Sequence, residues 1–480
     1  MAMIRRATSL VIVCLCISLT GCITVGPDYE PPEIIVPDAW HEAALEGLDT
    51  GDAYLAQWWS VFDDSVLNGL IERVESDNLS LAAAATRLDE ARMLLAISRG
   101  EKVPSVDGFG TIQRTRASES VSPSLPSGVS RTDTFYQVGV DAGWELDLWG
   151  RIRRNIESAE ASYAASMEDY RDVLVSVYAE VALSYISARN LQERISLAEE
   201  NVTAQRESVE LTRNRYEAGL VGMLDVRQAE LNLATTESLV PQLRAGYIQS
   251  VNRLGVLMGE YPNALHGELA AKGLTPSASL SVTKHLPTDL LRQRPDVRAA
   301  ERRLAGQTAR IGAQQALLYP TFALGGTFAL EAFESGDAFD GDSRTYGFGP
   351  AFRWNLFDGK RIRNSVYIEE IRTERALIAY ERRILVAVEE VENAMVALAQ
   401  EEDRKALLAT AMLAAQQSVE LVQTLYRTGL TDFQNVLDME RAKFLQDDAY
   451  AVSKGEQARN LVQLYKALGG GWSPNSEETN

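Results

Sequence analysis

Apolar positions recur every seven residues through two long tracts of the 480-residue chain. In the first, Val181, Ala188, Ile195, Val202, Val209 and Tyr216 form a seam beside Val177, Ser184, Leu191 and Ala198. A heptad seam predicts coiled coil, and no proline interrupts it between Gly150 and Tyr216. The helix expected over 150–218 would be on the order of 100 Å long. The second tract, 359–427, repeats the idea with Val391, Leu398, Met412, Val419 and Tyr426, although Lys405 interrupts its seam. Alanine and serine at seam positions let helices approach closely and leave a wide, shallow interface, which suits a closed ring of helices better than a two-stranded rope. Gly219 and Gly429 stand just past the tracts, where a C-terminal cap needs a left-handed residue. The chain is therefore expected to reverse there into return helices over 222–258 and 432–468.

These tracts belong to a motif written twice. Tyr216 to Leu220 matches Tyr426 to Leu430 at an offset of 210, as Trp144 matches Trp354, although Gly150 and Gly359 are shifted by one. Arg87, Leu88 and Pro104 match Arg303, Leu304 and Pro320 at an offset of 216. The difference falls between loop-like stretches, Ser118 to Arg131 and the acidic Glu334 to Arg344. Two repeats follow, 61–270 and 271–470, each running helix, two strands flanking a loop, long helix and return helix. The first helix is expected from Leu81 to Gly100, the strands over 104–116 and 134–148. In the second repeat, helices are expected over 287–317 and strands over 320–333 and 345–357. An N-terminal belt segment, 22–60, precedes the repeats, and a short tail, 471–480, follows them.

The extended segments are rich in glycine and aromatics: Phe109, Phe135, Tyr136, Trp144, Trp149, Tyr319, Phe322, Phe328, Tyr346, Phe348, Phe352 and Trp354. Such crowding suits the interfacial girdle of a membrane barrel. Four strands cannot close one, since at least about eight are needed, so the pattern implies assembly, and three chains would supply twelve.

Arg5 and Arg6 followed by the apolar run Leu10 to Leu19 form a secretory signal over 1–21, too short to span a membrane. It ends in Leu19-Thr20-Gly21-Cys22, which resembles a bacterial lipobox. That resemblance implies a diacylglycerol and an N-acyl chain on Cys22, and Ile23 after it implies sorting to the outer membrane. The formal charge of -20 disfavours nucleic acid as a partner. Three histidines and three cysteines show no spacing suited to a metal or to a nucleophile and its base, so neither an enzyme nor a cofactor is expected.

Motifs along nearly the whole chain resemble the TolC-like outer-membrane factors of tripartite efflux pumps, in the lipoprotein branch of NodT or OprM type. They are VGPDY at Val25 to Tyr29, QWWSVFDDSVLNGLI at Gln57 to Ile71, WELDLWGRIR at Trp144 to Arg153, LPTDLLRQRPDVRAAE at Leu286 to Glu301 and WNLFDGKRIR at Trp354 to Arg363. The resemblance implies a mixed membrane α/β fold: a trimeric, twelve-stranded transmembrane β-barrel continuous with a long periplasmic α-helical barrel. It also implies a periplasmic adaptor and an inner-membrane transporter of the resistance-nodulation-division class as partners, with a homotrimer in outer-membrane lipid. Alignment on Tyr426 and Gly429 puts the family's two acidic aperture positions on Asn435 and Asp438, of which only Asp438 is acidic. Gln434 occupies a plug position, and Asp225, the repeat-equivalent of Asn435, could supply the missing acid. Tyr426 and Arg427 are candidate links holding the aperture shut, and the turns at Gly219 and Gly429 are candidate adaptor-docking surfaces. Trp58 and Trp59 are expected to anchor the N-terminal segment in the belt. The alternatives are the channel of a type I protein secretion system, which shares the fold but usually lacks the lipid anchor, and a poreless coiled-coil lipoprotein.

Overall fold

The computed structural model describes residues 24–33, 55–121, 130–278 and 293–473. The signal segment, Cys22, most of the expected belt segment, Leu286 to Arg292 of the longest motif and most of the tail lie outside the described residues. A 3-10 turn, Trp58–Phe62, leads into α1 (Ser65–Asp77), α2 (Leu79–Gly100), β1 (Ser105–Arg116), β2 (Thr132–Leu146), α3 (Arg151–Glu217) and α4 (Met223–Leu257). Then come α5 (Pro295–Ala316), β3 (Thr321–Ala332), β4 (Arg344–Arg353), α6 (Arg361–Arg427) and α7 (Phe433–Ala467).

Both long helices have 67 residues and both return helices 35, and their bounds repeat at the offset of 210. At about 1.5 Å per residue, each long helix measures roughly 100 Å. The one-residue glycine shift has a local cause. Before α3 only Gly150 is left-handed (φ 81°), whereas before α6 both Gly359 (66°) and Lys360 (69°) are, so each helix still starts seven residues after its tryptophan. Asp147 and Asp358 supply the caps, accepting from the Ile152 and Ile362 amides at 3.1 and 2.8 Å. α2 begins at Leu79, ahead of the expected Leu81, because Asn78 Oδ1 accepts from the Ser80 and Leu81 amides at 2.8 and 3.0 Å.

The chain forms two compact units. Among the described residues, the first comprises 24–32, 88–121, 130–166 and 300–380, and holds the sheet with the adjoining helix lengths. Its strands pair antiparallel in the order β1-β2-β3-β4. The register separates two faces, because side chains alternate along each strand. One carries Val106, Ile112, Val138, Val140, Phe328, Phe348 and Phe352, all exposed. The other carries Asp107, Asp141, Thr327, Thr111, Gln137 and Glu331. Not every expected girdle aromatic lies on the apolar face. Phe109 and Phe135 share the polar one, and Trp149 stands beyond β2, its ring stacked on Tyr319 at 4.8 Å.

Among the described residues, the second unit comprises 33, 55–87, 167–278, 293–299 and 381–473. Its core buries Trp58, Leu67, Ile71, Tyr185, Ile186 and Leu254. The heptad seam is buried at Val181, Ala188, Ala198, Val202 and Val209, but Tyr216 at its end is 39% exposed. In α6, Val391, Leu398, Val419 and Tyr426 are buried, and the interrupting Lys405 donates to Gln457 Oε1 of α7 at 2.6 Å. Trp58 stacks on Tyr465 at 5.6 Å and Trp59 meets Tyr178 edge-on at 5.0 Å, so the tryptophan pair fixes the start of this unit to α7 and α3. No described helix is long and apolar enough to cross a membrane.

Candidate functional site

Both hairpin turns close by the same backbone device. The Gly219 amide donates to Tyr216 O and the Leu220 amide to Arg215 O, both at 2.9 Å; the Gly429 and Leu430 amides repeat this with Tyr426 O and Leu425 O at 3.0 and 2.9 Å. This pair of bonds satisfies helix-end carbonyls and needs a left-handed residue, met by Gly219 (φ 72°) and Gly429 (φ 78°). A Cβ added at either glycine would point into open space.

The turns bring some of the sequence-derived aperture residues together and separate others. Tyr426 is a core residue, 3% exposed, packed with Phe433, Val436, Val209 and Ala229. Its ring meets Phe433 at 5.4 Å, and the Arg215 guanidinium lies 4.4 Å from its centroid. Burial raises the Tyr426 phenol pKa and the Asp225 charge adds to it, while the Arg215 charge opposes both. Arg427, at the helix end, is exposed and is not the cation on Tyr426; Arg215 is. Sequence reasoning missed Arg215 because its position in the second repeat is a leucine, Leu425. Gln434, Asn435 and Asp438 are exposed on the first turns of α7. Gln434 Nε2 donates to Asp438 Oδ1 at 3.0 Å, whereas Asn435 turns back to Thr431, donating to its hydroxyl at 2.9 Å. Asp225 is half-buried toward Tyr426 and so stands apart from Asp438 in its surroundings.

Two other motifs close on themselves. In the first unit, VGPDY is strapped by Arg154 of the GRIRRN run, whose guanidinium donates to Val25 O, Gly26 O and Asp28 Oδ1 at 3.3, 3.2 and 2.7 Å. Tyr29 donates to Glu301 at 3.2 Å. Gly26, at φ 93°, lies so close to Gly312 that a Cβ would stand 2.3 Å from its Cα. In the second unit, Arg294 of the RPD run donates to Ala467 O at the end of α7, to Glu390 of α6 and bidentately to Asp296. Burial pushes the Asp296 carboxyl up, but hydrogen bonds and charge from Arg294, with the charge of Arg383, hold it below its ordinary range.

Among the described residues, no group of three or more His, Cys, Asp or Glu side chains could hold a metal. The arrangement offers exposed charge near the turns, and a sheet with one apolar and one polar face.

A family model described as outer membrane efflux protein matches residues 70–260 and 286–470, one segment in each repeat. The outer membrane protein OprJ of Pseudomonas aeruginosa is 32% identical over 471 residues, covering 95% of each chain. Nodulation protein T of Rhizobium leguminosarum bv. trifolii is 29% identical over 456 residues, 95% of this chain and 96% of its own. Among solved structures, the outer-membrane channel OprN has a TM-score of 0.85 at 33% identity, covering 94% of this chain and all of that one. The open state of the Neisseria gonorrhoeae MtrE outer membrane channel has a TM-score of 0.81 at 25% identity, over 94% of this chain and 99% of that one. Matched in both repeats by one family model and over nearly its whole length by such relatives, the chain belongs to the outer membrane efflux protein family.

Proposed function

We propose that three copies of this chain join through the edge strands β1 and β4 into a twelve-stranded barrel across the outer membrane, with their long helices forming a second barrel in the periplasm. The duct so formed is the exit of a tripartite efflux pump. The observation that carries this reading is the two-faced sheet. Its exposed apolar face, from Val106 to Phe352, suits lipid, and its polar face, with Asp107, Thr111, Gln137 and Glu331, suits a water-filled lumen. Strands of 10 to 15 residues are long enough to span the hydrocarbon core, for which about 9–11 suffice.

The mechanism is conduction. No bond is made or broken, and the work belongs to an inner-membrane transporter, of the resistance-nodulation-division class, that loads the duct through a periplasmic adaptor. The adaptor docks at the Gly219 and Gly429 turns. Drugs and other small molecules pass outward. Asp438, repeated three times around a narrow aperture, attracts cations and repels anions. Gln434, bonded to it, narrows the same opening. Acyl chains on Cys22 anchor each copy in the outer membrane.

Purified lipidated protein in mild detergent tests the reading by native mass spectrometry and planar-bilayer conductance. A trimer that passes ions is expected; a monomer that passes none overturns it. Deleting the gene should raise cellular accumulation of dyes and antibiotics.

A further inference from the structure

Eight buried side-chain polar atoms among the described residues lack a hydrogen-bond partner, and six of them crowd into one stretch of the helical unit. They are Asn201 Nδ2, Gln205 Oε1, Arg215 Nε, Asn232 Nδ2, Tyr426 Oη and Glu440 Oε2. The stretch follows a second seam on α3, of Asn201, Gln205, Ser208, Thr212 and Arg215, whose four-three spacing is that of a heptad written in polar residues. Gln205 and Thr212 in it are 2% and 0% exposed. Buried polar groups are ordinarily paired, so this seam forms a polar layer inside the helical packing.

Glu440 of α7 is the one carboxyl in that layer and is 5% exposed. Ser208 of α3 donates to its Oε1 at 2.6 Å and Gln423 of α6 at 3.3 Å. The groups around it supply no cation. From α4, Asn232 is taken by Arg441 of α7, whose Nε donates to it at 3.0 Å. On α3, Arg215 lies on the Tyr426 ring, and Arg206 and Arg213 pair with Glu237 and Glu230 of α4. On α6, Tyr426 keeps its proton, its pKa raised by burial. On α4, Asp225 acts on Tyr426. An ionised carboxylate buried with no cation is strongly disfavoured.

We propose that Glu440 carries a proton preferentially while these four helices are packed around it, so this end of the unit tightens in acid and loosens as the pH rises. Burial raises the Glu440 carboxyl from its ordinary value of 4.5, and the Ser208 and Gln423 bonds offset only part of that. The packed state therefore holds more protons than the loosened one above the ordinary carboxylate range. Its stability falls as pH rises from there to the raised value, and is level beyond it.

Hydrogen exchange by the full-length lipidated protein in detergent, between pH 5 and 8 and corrected for intrinsic rates, tests this. Protection over 201–215 and 432–445 should fall with rising pH, by about tenfold for each unit of upward shift. E440Q, a neutral mimic, should hold the acid-level protection at every pH. A wild type with no pH dependence there overturns the proposal, as does the same fall in E440Q. Should E440Q not assemble, Glu440→Met replaces it with the same two outcomes.

Discussion

The Arg215 guanidinium lies 4.4 Å from the Tyr426 ring centroid and also donates to the Tyr426 carbonyl at 3.0 Å, tying the end of α3 to the end of α6. The positions related to them by the 210 offset are Leu425 and Tyr216, 44% and 39% exposed, so the repeat carries this link in one half only. Arg215→Ala should cost about 1–2 kcal/mol locally, since the contact is partly desolvated. Faster backbone exchange over 424–430 checks it. Arg215→Lys should fall between, because an ammonium keeps charge but not the flat stacking surface. Equal exchange in all three proteins would remove the contact from any role at the turn.

Gly429 has room for a side chain but not the backbone freedom for one. Gly429→Ala should destabilise the hairpin by about 1 kcal/mol, and Gly429→Asn by less, as asparagine tolerates the left-handed region. Thermal melts followed by circular dichroism rank them. Gly429→Trp should also abolish adaptor docking, and efflux that survives it would exclude this turn as the docking surface.

Arg154 holds three groups of the VGPDY strap from a side chain only 4% exposed. Arg154→Met should free the strap, giving cleavage near Val25 under limited proteolysis that the wild type resists. Gly26→Ala should do the same by collision with Gly312.

The depressed Asp296 carboxyl gives an acid-dependent stability. Ionised in the folded chain below the range where an unfolded aspartate protonates, it contributes stability fully present above its ordinary value of 3.8 and lost as pH falls through the lower folded value. Asp296→Asn should therefore be less stable at neutral pH and show a flatter loss below pH 4 in acid unfolding followed by fluorescence.

Asp438 is exposed, so its replacement should spare the fold. Asp438→Ala is expected to weaken divalent-cation block and lower cation selectivity in single-channel recordings. Unchanged block would assign the aperture charge elsewhere.

The sequence made the repeat architecture readable because it depends on period and punctuation. Gly219 and Gly429 mark helix ends that the structure places at Glu217 and Arg427, and Trp144 and Trp354 precede the starts by seven residues. Less was readable where one residue's surroundings come from distant chain. Glu440 in isolation looks like any helix-surface acid, and only α3 and α6 bury it. The polar seam keeps a heptad spacing but has no apolar residue to mark it, so its burial is set only by the neighbouring helices. Tyr216 and Tyr426 look equivalent, but one is half-exposed and the other core, packed with Phe433 and under the Arg215 guanidinium from the opposite repeat. Pro241 sits inside α4 without ending it, which a local rule would not foresee.

The strap also sets a length. The Val25 amide is fixed to the Trp149 carbonyl at 3.1 Å, and Val25 follows Cys22 by three residue steps. Fully extended, they reach about 11 Å. Were Cys22 to carry the proposed acyl chains, that short tether would act as a depth gauge: the inner leaflet would lie within its reach of Trp149, and lengthening it by a few glycines would let the molecule ride at a different height.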